Sequence, residues 1–178
     1  MSLHNAELVM LDRSDPAQIA AFERGFHAAF SRVPSNRLVR TLWEWDDDTR
    51  RLRTRIPYDE QEIFALFRPD REVCLGMAVN RALRSFQSSA FGFAVPADSP
   101  PACELLALYI EPDPVLAPQF GRMTRTCFAQ LAASGLAVAY ATTATRVLPL
   151  YRRLGAKIIE SRTIGTEERH FLCFDLSK

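Results

Sequence analysis

The chain has 178 residues, 48% of them apolar and 24% charged, with a net charge of +1. That length suits a single compact domain over 1–178 with a buried core, and the balance excludes a disordered chain. A net charge so near zero supplies no global field for nucleic acid or a membrane surface, and no apolar run approaches the ~20 residues of a spanning helix.

The cysteines Cys74, Cys103, Cys127 and Cys173 are scattered, with neither zinc-ligand spacing nor a disulfide framework. Buried free thiols in a reducing cytoplasm are expected, and no metal site. The start, MSLHNAELVM, lacks a basic stretch followed by a long apolar one and does not read as a signal peptide.

Ala6 to Leu11 reads as a short strand. Ser14 is expected to cap a helix opening at Asp15-Pro16, because proline is tolerated in a first helical turn. Ile19, Phe22, Phe26, Phe30 and Val33 recur at spacings of three and four, so this helix buries one face. His27 sits beside the stripe and reads as a boundary residue rather than a base. Pro34-Ser35 restarts the chain, and Asn36–Trp45 is predicted as a second helix with Leu38, Leu42 and Trp45 inward. Asp46-Asp47-Asp48 followed by Arg50, Arg51, Arg53 and Arg55 reads as a solvated, self-neutralising surface. The other reading is a basic edge for phosphate groups or an acidic protein.

From Glu62 the pattern turns to β. EIFALFRP and EVCLGMAVN flank Pro69-Asp70-Arg71, which predicts a hairpin. Arg81 to Pro101 is a long connection carrying Phe86, Phe91 and Phe93; loops of this length are often functional, and acceptor binding stays open here.

CELLALYIEPD then suits a buried strand, and PQFGRMTRTCFAQLAASG a helix with Phe120, Met123, Cys127 and Leu131 inward, stopped by Gly135. LAVAYATT is the next strand, and a short helix with Pro149 in its first turns ends at Leu154-Gly155. Two β-rich runs close the chain, with Glu160, Glu167, Glu168 and His170 expected at the surface. The last, EERHFLCFDL, is expected to leave a pairable edge, so a homodimer is possible. Strand, helix, strand with short joints implies a parallel pair joined by a crossover helix.

The run Leu150-Tyr151-Arg152-Arg153-Leu154-Gly155-Ala156, with Gln119-Phe120-Gly121-Arg122-Met123 before it, resembles the GNAT (GCN5-related) N-acyltransferase superfamily. The resemblance spans Cys103 to Lys178. It implies a GNAT-like α/β fold: a mixed, mostly antiparallel sheet of six or seven strands with helices on both faces. It further implies transfer of an acyl group, in the first place acetyl, from acetyl-CoA or another acyl-CoA to a small-molecule amine by direct attack. The backbone of Leu108, Tyr109 and Ile110 would hold the pantetheine arm and thioester carbonyl, and Gln119, Phe120, Gly121, Arg122 and Met123 the pyrophosphate at a helix start. Tyr151 would protonate the leaving thiolate, and Glu104 would take the amine proton directly or through water. The plainer readings are that Tyr151 only packs and that Glu104 is a strand-end carboxylate in solvent. One glycine stands where the family has two small residues, and Ala144 where it has an asparagine.

A narrower similarity over 37–110 is to acyl-homoserine-lactone synthases and N-acyl amino acid synthases. It is carried by Trp45, Tyr58-Asp59, Arg81 and Glu104-Leu105, with Ala107 in place of an arginine. It implies, as the alternative, long acyl chains taken from acyl-carrier protein or acyl-CoA. A third reading is a non-catalytic module of the same fold, with a partner surface around Phe86 to Phe93.

Overall fold

The computed structural model describes residues 7–33 and 37–177. The expectations for the first six residues and for the restart at Pro34-Ser35-Asn36 fall outside them. In chain order the elements are β1 (Glu7–Met10), α1 (Pro16–Ser31), α2 (Arg37–Leu42), β2 (Glu44–Asp46), β3 (Arg51–Arg53), β4 (Gln61–Phe67), β5 (Val73–Asn80), β6 (Ala102–Ile110), α3 (Ala117–Ala133), β7 (Val138–Ala144), α4 (Leu148–Arg153), β8 (Lys157–Ile164) and β9 (Glu167–Asp175). Seven strands form one sheet in the order β1-β4-β5-β6-β7-β9-β8, and β2 pairs with β3 apart from it. β6 and β7 run parallel, whereas β1–β4, β7–β9 and β8–β9 are antiparallel. This is the mixed, mostly antiparallel α/β sheet that the sequence predicts. By internal contacts the chain divides into two units, Met1–Val79 with Ala107–Met123, and Asn80–Leu106 with Thr124–Lys178.

In the first unit α1 starts on Asp15, whose carboxylate accepts the N–H groups of Ala17 and Gln18 at 2.9 and 3.3 Å. The expected cap, Ser14, is instead turned back onto Asp12, 2.7 Å from its carboxylate. The apolar face of α1 closes over Tyr109, which stacks on Phe26 with centroids 5.7 Å apart and donates its hydroxyl to the Phe22 carbonyl at 3.0 Å. Two glycines make room for that ring. A Cβ at Gly25 would stand 2.7 Å from the Tyr109 hydroxyl, and one at Gly76 2.6 Å from its ring.

The second helix is shorter than its pattern suggests. It ends at Leu42 and buries Val39, with Trp43 also buried, while Trp45 belongs to β2. Opposite charges account for the switch: Glu44 pairs across the hairpin with Arg53 and Asp46 with Arg51, and the Arg53–Glu44 ion pair measures 2.6 Å. The ion pairs of the two blocks run to residues outside them: Arg51 to Glu23, Arg53 to Glu44, and Asp47 to His27 and Arg40. Further on, β4 and β5 are neighbours joined by a tight turn in which Arg68 N–H donates to the Glu72 carbonyl at 2.9 Å, as the hairpin pattern predicts.

In the second unit the end of α3 carries the expected glycine stop. Gly135 has φ +89, and Leu136 N–H reaches back to the Leu131 carbonyl at 3.2 Å. Three surface expectations are corrected here. The final strand, β9, is no edge; it lies between β7 and β8, and β8 is outermost, with Ile158 and Ile159 exposed. His170 is 5% exposed, because β9 is an interior strand with both faces covered. Phe93 is 2% exposed and stacks on Phe171 at 5.2 Å, so it belongs to a core cluster with Tyr140 rather than to a partner surface.

All four cysteines are free thiols. Among the described residues no group of side chains is arranged to hold a metal ion, and no helix is long and apolar enough to cross a membrane.

Candidate functional site

Glu104 is the sole charged residue in the apolar run of β6, and it is 0% exposed. This overturns the reading of a strand-end carboxylate in solvent. Its Oε1 accepts from Ser88 N–H at 2.7 Å and from the Ser88 hydroxyl at 2.6 Å, and its Oε2 accepts from Gln87 N–H at 2.8 Å. Asn80 approaches Oε2 at 3.5 Å and ties down the Ser85 carbonyl at 2.7 Å. The carboxylate thus fastens the 3-10 turn Gln87–Phe91 in the middle of the long connection. Thr142 on β7 donates to the Ser88 hydroxyl at 2.7 Å, which extends the relay to a neighbouring strand. Burial raises the Glu104 carboxyl above its ordinary range, and the bonds from Ser88, Gln87 and Asn80 oppose that shift.

The parallel register of β6 with β7 runs from Ala102–Leu105 against Val138–Ala141, and β6 continues to Ile110. The Gln87 side chain donates to the Leu106 carbonyl at 3.2 Å, just past the end of that register. Glu111 N–H bonds the Cys74 carbonyl at 2.9 Å, and strand alternation therefore turns the N–H groups of Leu108 and Ile110 away from β5. Leu108 and Ile110 are half-buried, while the Tyr109 side chain is committed to the core described above.

Gln119–Met123 does not form a loop. A 3-10 turn, Pro114–Leu116, runs directly into α3 at Ala117, so all five residues are helical. Phe120 and Met123 are buried, Gln119 and Gly121 half-buried, and Arg122 exposed. Only the first four N–H groups of an α-helix lack an intrahelical carbonyl. With α3 opening at Ala117, Gln119 is the one of the five expected pyrophosphate ligands that falls within that stretch.

Tyr151 lies on α4 and is 9% exposed, with its ring 6.0 Å from that of Phe174. Burial pushes its phenol up to about 12. Tyr151 and Glu104 belong to the second unit, and Leu108–Ile110 with Gln119–Met123 to the first.

The first unit has a polar constellation of its own. Glu23, 2% exposed, accepts from Arg51 Nε and the Tyr58 hydroxyl, both at 2.5 Å. Burial and the Glu23 carboxylate raise the Tyr58 phenol well above its ordinary value. Glu23 and Arg51 line a cavity of about 360 Å³ with Glu44, Trp45, Asp46 and Arg53. His27, read as a boundary residue, bonds Asp47 at 2.9 Å, and Arg40 meets the same carboxylate at 3.1 Å. Of the narrower resemblance, Tyr58 bonds Glu23 and Trp45 lines the same cavity, whereas Arg81 donates to Ser134 at 3.0 Å in the second unit. Sequence reasoning missed Asn80, Ser88 and Thr142; a charged residue amid apolar strand positions was the available signal that buried donors must surround it.

No protein-family model matches the chain, and no curated protein matches it. Solved structures do. A GNAT-family protein from Desulfovibrio desulfuricans superposes with a TM-score of 0.61 at 10% identity, over 96% of this chain and 99% of that one. The chain has the GNAT fold. BjaI, a CoA-dependent acyl-homoserine lactone synthase solved with SAM and isopentyl-CoA, gives a TM-score of 0.69 at 14% identity, over 97% of this chain and 84% of its own. FeeM, an N-acyl amino acid synthase from uncultured soil microbes, gives 0.63 at 11% identity, over 97% and 96%. At these identities the likeness is one of fold. In this GNAT fold, the segment that raised the resemblance supplies β6, α3, β7 and α4.

Proposed function

We propose that the chain is an N-acyltransferase, a single acyltransferase domain over 1–178 that moves an acyl group from a CoA-type thioester to a small-molecule amine. The observation that carries this reading is β6, which runs five residues past Leu105 with the N–H groups of Leu108 and Ile110 turned from β5. Such N–H groups suit an extended amide-bearing arm and a polarised thioester carbonyl. The start of α3 supports a pyrophosphate through the N–H group of Gln119, with Arg122 exposed one turn further on.

In the reaction the amine nitrogen attacks the thioester carbonyl carbon, the carbon–sulfur bond breaks, and the thiolate takes the Tyr151 proton. A phenol at about 12 stays protonated at neutral pH, so the proton is in place when the thiolate forms. Glu104 is enclosed by donors, so the amine proton leaves through water, and water returns a proton to the Tyr151 phenolate. The part of Glu104 is to hold the 87–91 turn in place.

A second reading is long acyl chains taken from acyl-CoA or acyl-carrier protein, which the similarity over 37–110 implies. Thermal-shift titration with CoA, acetyl-CoA, a long-chain acyl-CoA and an acylated carrier protein separates the readings. A rise with acetyl-CoA favours acetyl transfer, and a rise with long-chain donors alone favours the second. Silence from every donor would sink both and leave a non-catalytic GNAT-fold module. Tyr151→Phe is expected to lower kcat about a hundredfold with little change in donor affinity. Undiminished turnover removes the acid role.

A further inference from the structure

The last two strands carry a hydroxyl, an imidazole and a carboxylate that the reaction above does not use. Ser161 on β8 and His170 on β9 stand directly opposite each other in the strand register, so their side chains share one face of the sheet. The Ser161 hydroxyl lies 2.7 Å from His170 Nδ1. At the other ring nitrogen, Nε2 is 3.0 Å from the Thr145 hydroxyl and 3.6 Å from a carboxylate oxygen of Glu168. Thr145 itself donates to that oxygen at 2.9 Å.

Counting hydrogens along this relay fixes its direction. A carboxylate only accepts, and a threonine hydroxyl has a single hydrogen to give. Thr145 gives it to Glu168, so towards the imidazole Thr145 is an acceptor and Nε2 carries the ring hydrogen. In the neutral ring the lone pair is then on Nδ1, and the Ser161 hydroxyl donates to it. Every bond in the relay is oriented to draw the proton of Ser161 away from its oxygen. Burial divides the roles further. The His170 side chain is 6% exposed on an interior strand, whereas Ser161 is exposed on the outermost one. A reagent in solution therefore meets the serine oxygen without entering the core. Among the described residues β8 has one neighbour, β9, so alternate N–H groups beside Ser161 face outward, where they suit the oxygen of an attacked carbonyl.

We propose that Ser161 is a nucleophilic serine that accepts an acyl group from an activated ester or thioester, a covalent site separate from the thioester site above. In the step, Ser161 Oγ bonds to the acyl carbon and its proton passes to His170 Nδ1. The bond from that carbon to the leaving oxygen or sulfur breaks, and the leaving group takes the proton back from Nδ1. An O-acylserine, a neutral imidazole and a free alcohol or thiol remain. A hydroxyl bonded to a base that a third group orients is the arrangement that makes serine reactive. Thr145 and Glu168 act through His170 and are positioning residues. The proposal stands on these four side chains and does not depend on the transferase reading.

The test exposes the full chain to p-nitrophenyl acetate and follows acetylation of individual serines by mass spectrometry of the digested protein. Ser14 is the internal reference, because it too is exposed but its hydroxyl lies 2.7 Å from the Asp12 carboxylate rather than from an imidazole. Ser161 should be acetylated at least about a hundredfold faster than Ser14, and His170→Gln should remove most of that advantage. Thr145→Val should slow Ser161 labelling severalfold and Thr145→Ser should restore it, a rescue that a merely structural contact would not produce. Labelling of Ser161 no faster than that of Ser14, labelling unaffected by His170→Gln, or no rescue by Thr145→Ser overturns the proposal. Should His170→Gln fail to fold, the exposed Thr145 decides, and undiminished labelling in Thr145→Val overturns it. The assay contains neither CoA nor amine, so a labelled Ser161 beside a silent donor titration would sink the transferase reading alone, and the reverse result would sink this proposal alone.

Discussion

Each unit buries a glutamate, and the two are held by opposite means. Glu23, in the first unit, faces a cation and a phenol, Arg51 and Tyr58. Glu104, in the second, faces backbone N–H groups, a hydroxyl and an amide, all neutral. The Arg51 side chain is 40% exposed, so losing Glu23 leaves it free to turn to water. Two of the donors of Glu104 are main-chain N–H groups, which stay behind when its carboxylate is removed. A buried ion pair can be deleted as a pair, whereas a carboxylate that organises a turn cannot be deleted without orphaning the turn.

The largest expected effect follows from that contrast. Glu104→Ala should lower unfolding stability by about 2–4 kcal/mol, read from urea denaturation, because the Gln87 and Ser88 N–H groups lose their acceptor in a buried place. A loss below about 1 kcal/mol would break the comparison. Glu23→Ala should be milder, about 1–3 kcal/mol, and adding Arg51→Ala should return part of it. A double variant that merely sums the single losses would show that Glu23 is no more exchangeable than Glu104.

The pH dependence sharpens the same contrast. The folded Glu104 carboxyl is raised above its ordinary 4.5, so its contribution is fully present below that value and fades as pH rises through the folded one. The stability gap between wild type and Glu104→Gln should therefore narrow as pH is raised from about 4 towards neutrality, by less than ~1.4 kcal/mol per pH unit. A gap that widens would reverse the assignment. The smallest effect belongs to the exposed hairpin pair, where Arg53→Ala should change stability by about 0.2–1 kcal/mol and by less at high salt.

Much of the fold was legible because it is written in local periodicity. α1, β6, α3 and β7 each carry several apolar residues at one spacing, and Gly135 marks its helix end directly. The hairpin β2–β3 was not legible, since Leu38, Leu42 and Trp45 suit a helical face and only cross-strand charge pairing decides otherwise. Strand order was hidden for a similar reason: β9 is interior because β8 folds outside it, a long-range fact that no window of sequence contains. The Glu104 relay depends on Ser88, 16 residues away, and Thr142, 54 residues beyond Ser88. Glu104 itself was visible as a charge among apolar neighbours, but two of its four donors are backbone groups with no signature in side-chain type. His170 was read as surface because a polar residue in a last strand usually faces water, and its place between β7 and β8 removes that water here.

Tyr109 also sets the order in which this chain can change over generations. A side chain at position 25 or 76 would run into the tyrosine ring or hydroxyl, so neither glycine can be replaced first. Shrinking Tyr109 first would open a hole between α1 and β5 and strip the Phe22 carbonyl of its donor. Any lineage leaving this arrangement must cross a less stable ancestor or change several positions together. Three sites far apart in the chain are thereby tied to one fate by a single phenol.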